Sequence, residues 1–527
     1  MQLSNVDYSD IQALVRFGHG HLAHACLYVA RIADAEKVRA WLRANPVTNA
    51  VGGSLPLHAL HVAFTLEGMR KLGVPEPVLA DFSLEFRVGM VDANRSRRLG
   101  DVGTNDPKRW RWGGVPGESD PHVLIMFYAE SDYQHEAWER KAKDALWDAA
   151  FDSVYLMSTV RKNDLEPFGF VDGVSQPTLD WERSKPTRLR DTTKYTNLSA
   201  LGEFLLGYPN EYGLYTDRPL LDAGEERAHV LPLAEDQPGK RDFGRNGTYL
   251  VLRDLAQNVP LFKETVADKA GHRPEEEIKL ASAMSGRVPA DIPIIPPWPK
   301  KPPPWLAGTP PWRNAIARDN PEWVIPPGAP AMTLSESALQ GVGLKLKDVW
   351  LDQFTFERDP DATACPYGAH IRRANPRNAD LPDGTRGLIA KLMRTLGFAR
   401  EHSRDDILAS TRFHRILRRG RRYRDSESET DRDGLRFVAL NANIARQFEF
   451  IQTSWLVNPK FNGLNEDDPL VGNHAPLLTG AKTNGFTRPQ DSGLSCQVHG
   501  LPQFVTVRGG AYFFMPGLSA LRYIAQD

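Results

Sequence analysis

Three segments of this 527-residue chain carry side chains whose types and spacing suit chemistry. The first is Gly169-Phe-Val-Asp172-Gly173. An aspartate between glycines suits a tight turn, because glycine permits positive φ and close backbone approach. Apolar Phe170 and Val171 draw that turn away from full exposure, and a carboxylate held there is suited to proton transfer. The second segment is Cys365-Pro-Tyr-Gly-Ala-His370-Ile-Arg-Arg-Ala-Asn-Pro-Arg377. His370 offers an imidazole nitrogen. Gly368 and Ala369 leave room beside it for a flat group, and Arg372, Arg373 and Arg377 could meet the carboxylates of such a group. The third is Phe413-His-Arg-Ile-Leu-Arg418-Arg419-Gly420, in which Ile416 and Leu417 read as a strand carrying an arginine inward, where it needs a polar partner. One neutral imidazole for iron, with cations for propionates, is the combination that haem requires.

These segments need elements to position them. Cys26 to Arg31 reads as a short apolar strand, followed by Asp34 as a helix cap and by Val38, Trp41 and Leu42 at helical spacing. Tyr249 to Arg253, then Asp254, then Val259, Phe262 and Val266 repeat that pattern about 220 residues later, which points to a duplicated strand–helix unit. Leu60, Val62 and Phe64 alternate as in a half-buried strand, and Leu66, Met69 and Leu72 continue at helical spacing up to Gly73. His122–Tyr128 and Leu435–Asn441 read as strands, Ile444 to Leu456 as helical, and Phe504–Met515 as a hairpin turning at Gly509-Gly510. Strands and helices mix in both halves, so the expected class is α+β in layers, not a doubly wound sheet.

Composition sets outer bounds. Formal net charge is −1, which gives no global field for nucleic acid or an anionic membrane. Three cysteines, Cys26, Cys365 and Cys496, are too few for a disulfide framework and form no C-x-x-C pair, so a reducing compartment fits. No apolar run of about 18 residues is present. Met1 to Leu14 carries Asp7 and Asp10 and does not read as a signal peptide, which makes the cytoplasm the expected location. Pro289 to Pro330 holds 14 of the 40 prolines and four of the 12 tryptophans; it reads as a wrapping loop, with a lid or oligomer contact as the alternative. Asn378 to Thr411 is polar, with a short helix expected around Leu388 to Leu396, and Arg412 to Thr430 reads as largely surface-exposed.

Taken together and in this order, the three segments resemble the dye-decolorizing peroxidase family. The matching motifs are Gly169–Gly173, Ala369-His370-Ile371-Arg372 running on to Asn375-Pro376-Arg377, and Leu417-Arg418-Arg419-Gly420. Asp10-Ile-Gln12, Phe448-Glu-Phe-Ile-Gln452 with Asn458-Pro-Lys-Phe461, and the Arg508 to Gly517 stretch extend the resemblance over most of the chain. The separation of His370 and Arg418 by 48 positions (418 − 370) and the proline-rich segment depart from compact members, and the length resembles a larger bacterial branch without a secretion signal. The resemblance implies two packed ferredoxin-like α+β units. The N-terminal unit would span 1–235; the C-terminal unit would span 236–527, bind the haem and carry the insertion at about 289–330.

It also implies one haem b per chain on His370, with Arg372, Asn375, Arg377 and Gly173 around the cofactor. Asp172 would move the proton of bound peroxide, and Arg418, with Arg419 as the alternative, would stabilise the departing oxygen. The second ring nitrogen of His370 needs an acceptor, for which Glu449 and Asn443 are the candidates. The expected partners are hydrogen peroxide and a dye or other reducing small molecule, without nucleic acid or membrane, in a monomer or small homo-oligomer. A haem carrier or iron-releasing protein is the rival reading, and it would need neither Asp172 nor Arg418. An interaction protein working through the proline-rich segment is a second rival.

Overall fold

The computed structural model describes residues 5–52, 56–114, 120–160, 166–170, 175–183, 197–287, 356, 359, 361–377, 410–425, 432–477, 479–488 and 494–526. Asp172, Gly173, the proline-rich segment and the helix expected near residue 390 lie outside them.

Four strands come from the first half: β1 (His24–Ile32), β2 (His58–Phe64), β3 (Val123–Ala129) and β4 (Phe151–Ser158). Their antiparallel order is β4-β1-β3-β2. The second half supplies β5 (Thr248–Gln257), the short pair β6 (Leu417–Arg418) and β7 (Arg421–Arg424), β8 (Asp433–Asn441) and β9 (Val505–Met515). Here β6 and β7 both pair with β8, which pairs with β5, which pairs with β9. Each half therefore has its last strand beside its first, then its third, then its second, with a helical segment after the first and third strands. That is the ferredoxin-like arrangement, present twice, as the repeated strand–helix pattern leads one to expect.

Phe514 of β9 pairs with Phe64 of β2 and joins the halves into one sheet, nine-stranded among the described residues. Beyond β4, the Val160 amide donates to the Arg422 carbonyl of β7 at 3.1 Å, so the outer edges meet and the sheet curls toward a barrel. Strand alternation divides the core accordingly. Leu27, Met126, Leu250 and Phe513 fill one face. Val62, Ile125, Val251 and Phe514 fill the other, beneath helices that contribute Trp41 and Trp147. Gln12 joins both halves by donating to the carbonyls of Val62 and Pro516, while Asp10 accepts from Asn246 Nδ2 and the Ser519 amide.

Helix α1 (Ala35–Ala44) is capped by Asp34, which accepts from the Glu36 and Lys37 amides. Its counterpart α2 (Val259–Lys269) is capped by Asn258, not by Asp254. Asp254 lies inside β5, fully buried and paired with Arg436, because the strand runs to Gln257. Three further expectations give way. The β2 strand is buried on both faces, since Ala59 and Ala63 point into the core that holds Leu27 and Met126 and His61 between them is fully buried. Gly509-Gly510 makes no hairpin; β9 runs straight through it with a bulge. A Cβ at Gly509 would lie 2.2 Å from Trp112 Nε1, so the glycine admits a tryptophan against the strand. Finally, Arg412, Arg415 and Arg421 are buried rather than solvated.

Candidate active site

A cavity of about 310 Å³ opens on the outer face of the second half-sheet. From the sheet it is lined by Leu255, Leu435, Phe437 and Val505. From above it is lined by α3 (His370–Ala374) and by the π-helical stretch between Ala445 and Leu456. The walls are largely apolar, with polar groups set at intervals, as suits a flat cofactor with a few fixed contacts.

His370 opens α3 after the small pair Gly368-Ala369. A Cβ at Gly368 would sit 2.7 Å from Glu466 Oε1, so a larger residue would press on the carboxylate that accepts from the Thr487 amide. The His370 ring is partly open to the cavity, and its Nδ1 meets Asp468 Oδ2 at 2.9 Å. Asp468 is fully buried; its other oxygen accepts from the amides of Leu470 and Val471 at 2.9 and 3.0 Å. Burial alone would raise the Asp468 pKa, but the charge and hydrogen bond of His370, with Arg373 and the Val471 amide, hold it below its ordinary value. Burial likewise pulls the His370 pKa down, and the Asp468 carboxylate reverses that to a net rise. An ionised acceptor on Nδ1 fixes that nitrogen as the donor and leaves Nε2 for the cavity.

The acceptor is therefore Asp468, and the two expected candidates are employed elsewhere. Glu449 accepts from Arg95 at 2.6 Å and from the Tyr512 hydroxyl at 2.8 Å. Asn443 caps the following helical turn by accepting from the Arg446 amide. Neither side chain bonds to His370: Glu449 is buried against Arg95 and Tyr512, and Asn443 is half-buried at its own cap. The run Asn465-Glu-Asp-Asp468-Pro was the available sequence signal, and a cluster of acids before proline reads first as a surface loop.

The arginines divide sharply. Arg377 and Asn375 line the cavity, and Arg377 Nη2 donates to Ser175 Oγ at 2.9 Å. Arg415 and Arg418 also line it. Arg372 does not: its guanidinium is buried against Asp359, at 2.9 Å, and the Cys365 carbonyl, between the rings of Phe356 and Tyr367. Two residues on a helix turn through about 200°, so Arg372 leaves α3 on the side opposite His370. Arg373 is spent on the carbonyls of Trp455, Asn458 and Glu466. Arg419 turns away from Arg418 as strand alternation dictates; its guanidinium donates to the Leu14 and Val15 carbonyls at 2.8 and 2.9 Å.

Glu166, just before the glycine-flanked turn, also lines the cavity. Its carboxylate accepts from the amides of Phe168 and Phe170 and from Gln257 Nε2 on β5, which ties that segment to the sheet. Nothing in the residues around Glu166 signals this role, because its partners are two backbone amides and a glutamine 91 positions away.

The site therefore combines a ring nitrogen free to bind a metal, an ionised acid behind it, and cations on a largely apolar wall. These residues fit haem: a nitrogen for iron, flat apolar walls for the macrocycle, and guanidinium groups for propionates.

No family model matches the chain. Curated relatives do. The chain is 27% identical over 507 residues to dye-decolorizing peroxidase msp1 of Mycetinis scorodonius, covering 89% of this chain and 77% of that protein. It is 26% identical over 500 residues to multifunctional dye peroxidase DyP2 of Amycolatopsis sp., covering 91% and 84%. Among solved structures, the DyP-type peroxidase AnaPX of Anabaena sp. superposes with a TM-score of 0.64 at 19% identity, over 98% of this chain and 94% of that one. AauDyP complexed with imidazole gives 0.65 at 21%, over 99% and 100%. Those superpositions establish a shared fold along nearly the whole chain.

Proposed function

We infer that this chain is a haem peroxidase of the dye-decolorizing type, reducing hydrogen peroxide to water while oxidising dyes, phenols or other bulky donors. The observation that carries the reading is the His370–Asp468 pair, with Nε2 left to the same cavity that Arg418 lines. Haem bound at Nε2 would supply the oxidation by peroxide. The chain's own residues do the rest. His370 ligates, and Asp468 orients its ring and enriches its electron density. Arg377 and Asn375 hold the propionate edge. Asp172 takes a proton from one peroxide oxygen and returns it to the other as that oxygen leaves as water. Arg418 stabilises negative charge on the departing oxygen.

Asp468→Asn keeps the shape of the acceptor and removes its charge. Its expected effect is a ~10–100-fold loss of haem affinity or turnover, the usual cost of a lost supporting partner. Haem titration and steady-state dye oxidation on the same variant measure both. Unchanged values in both assays count against Asp468 as the group that tunes the ligand.

A carboxylate base stays ionised down to about pH 4, its ordinary pKa being about 3.9, whereas a histidine in that role would be protonated below about 6.5. Dye oxidation by the haem-loaded enzyme is therefore expected to be fastest in acid. An optimum above neutral pH argues against Asp172 as the proton carrier.

Finer features belong to the same proposal. The cofactor is haem b, one per chain, held mainly by residues 236–527, with the N-terminal unit ending near residue 235. The placement in a larger bacterial branch without a secretion signal rests on chain length and on the insertion alone. A cytoplasmic monomer or small homo-oligomer, without nucleic-acid or membrane partners, fits the near-zero net charge and the unpaired Cys26, Cys365 and Cys496. Among the described residues no helix is long and apolar enough to cross a membrane.

A further inference from the structure

Five of the 14 histidines fall in two short runs: His19, His21 and His24 lead into β1, and His58 and His61 lie in β2. Two of them meet. His19 and His61 are both fully buried, and their Nε2 atoms lie 2.7 Å apart. We propose that His19 and His61 bind a soft monovalent metal ion, copper(I), between their Nε2 atoms, with the Met126 thioether as third ligand.

The two rings are held by each other and by little else. One Nε2–H donates to the other Nε2, and neither Nδ1 has a hydrogen-bond partner. Buried polar atoms without partners cost stability, and two apolar side chains would fill this space better. His61 stands opposite Met126 in the β2–β3 ladder, and Tyr128, two positions along β3, faces the same side. The Tyr128 ring lies 5.2 Å from the His19 ring and 5.9 Å from the His61 ring, and its hydroxyl donates to Met126 Sδ at 3.9 Å. The thioether therefore belongs to the same cluster as the imidazole pair. Ala25 on β1 and Ala59 on β2 stand opposite Tyr128 and leave room around it.

The donor set selects the ion. Among the described residues no three His, Cys, Asp or Glu side chains are grouped to hold a metal, so a hard divalent ion lacks its ligands here. Imidazole and thioether together suit copper(I). Arg421 points the same way: it donates to the His19 carbonyl at 2.8 Å, and its guanidinium carbon lies 5.2 Å from the Tyr128 ring centroid. Beside that cation, in an apolar core, a monovalent ion adds less uncompensated charge than a divalent one. Both imidazoles are neutral ligands at ordinary pH. Burial, then the charges of His21, Arg421 and Arg419, pull the His19 pKa down to about 3, and burial with His19 beside it pulls His61 well below its ordinary value. Binding thus displaces no proton to solvent; the one shared between the rings moves to an Nδ1.

Metal–nitrogen bonds of about 2.0 Å need the two nitrogens to part by roughly 1 Å. His19 can supply that movement. It stands between Gly18 and Gly20 in the turn before β1, with a φ of 53° after one of 63° at Gly18. Gly20 and His21 are exposed, and the His21 ring lies 6.2 Å from the His19 ring, which gives an ion a route from solvent. None of these side chains lines the cavity that His370 enters, so the site is separate from the peroxide chemistry.

The test uses the haem-loaded full chain under argon, with copper(I) supplied as its coloured complex with bathocuproine disulfonate. The parent is expected to withdraw one equivalent from the chelator, and copper K-edge X-ray absorption to show two nitrogen neighbours and one sulfur. His19→Asn keeps a residue that tolerates positive φ and removes a ligand. Its affinity is expected to fall by at least ~100-fold, beyond the cost of a lost supporting partner. Met126→Leu conserves volume and is expected to keep the nitrogen neighbours and lose the sulfur. Circular dichroism and the ferric Soret band of the copper-free variants check the fold. A parent that withdraws no copper overturns the proposal, as does parental affinity in folded His19→Asn or a sulfur neighbour that persists in Met126→Leu. Where His19→Asn fails to fold, the sulfur signal of Met126→Leu decides alone. Zinc taken up at one equivalent in place of copper(I) overturns the assignment of a soft monovalent ion.

Discussion

Asp172→Asn, in haem-loaded protein, is expected to lower peroxide turnover by ~10²–10⁴-fold, the usual contribution of a positioned acid–base group, with the ferric Soret band retained. Asparagine fills the same space and keeps an acceptor oxygen, but it cannot take up and release a proton near neutral pH. The loss should appear in the step that consumes peroxide, so a stopped-flow rate of Soret change falls as far as steady-state dye oxidation does. A variant that turns over like the parent refutes the role given to Asp172. A variant that has lost its haem would instead make Asp172 a cofactor contact. The two outcomes separate cleanly because the absorption spectrum is recorded before peroxide is added.

His370→Gly is expected to have the larger effect on binding. The only protein nitrogen assigned to iron is gone, and haem affinity should drop by more than the ~10–100-fold that losing a supporting partner costs. The cavity walls and the cations of Arg377, Arg415 and Arg418 remain, so free imidazole should restore part of the haem content and part of the spectrum. Rescue by imidazole distinguishes a missing ligand from a collapsed fold. A His370→Gly chain that binds haem as tightly as the parent would move the axial ligand to another residue.

Much of this was legible in the residues alone, and the limits have physical causes. The duplicated fold showed through because each half opens with an apolar strand followed by apolar residues at helical spacing, although the second helix takes Asn258 and not Asp254 as its cap. His370 and Arg418 were legible because their motifs are contiguous and their neighbours small or apolar. Asp468 was not, lying 98 positions from His370 and meeting it only when the loop after the π-helical stretch folds back. Arg372 was misassigned because a run of cations says nothing about helical phase, and half a turn of α3 sends it to Asp359. Arg418 and Arg419 stayed alternatives in the sequence, because on a strand one position decides which side of the sheet a guanidinium reaches. The Gly509-Gly510 pair read as a turn because the bulky partner that needs those glycines, Trp112, is almost 400 residues away in sequence.

The most direct test of haem-dependent peroxide chemistry at His370 is the absorption spectrum of haem-loaded protein before and after one equivalent of hydrogen peroxide. A histidine-ligated ferric spectrum is expected, with a Soret band that shifts within the mixing time and returns when a reducing dye is added. A ferric spectrum that peroxide only bleaches slowly would contradict it, leaving His370 as a haem ligand in a protein that carries the cofactor without using it.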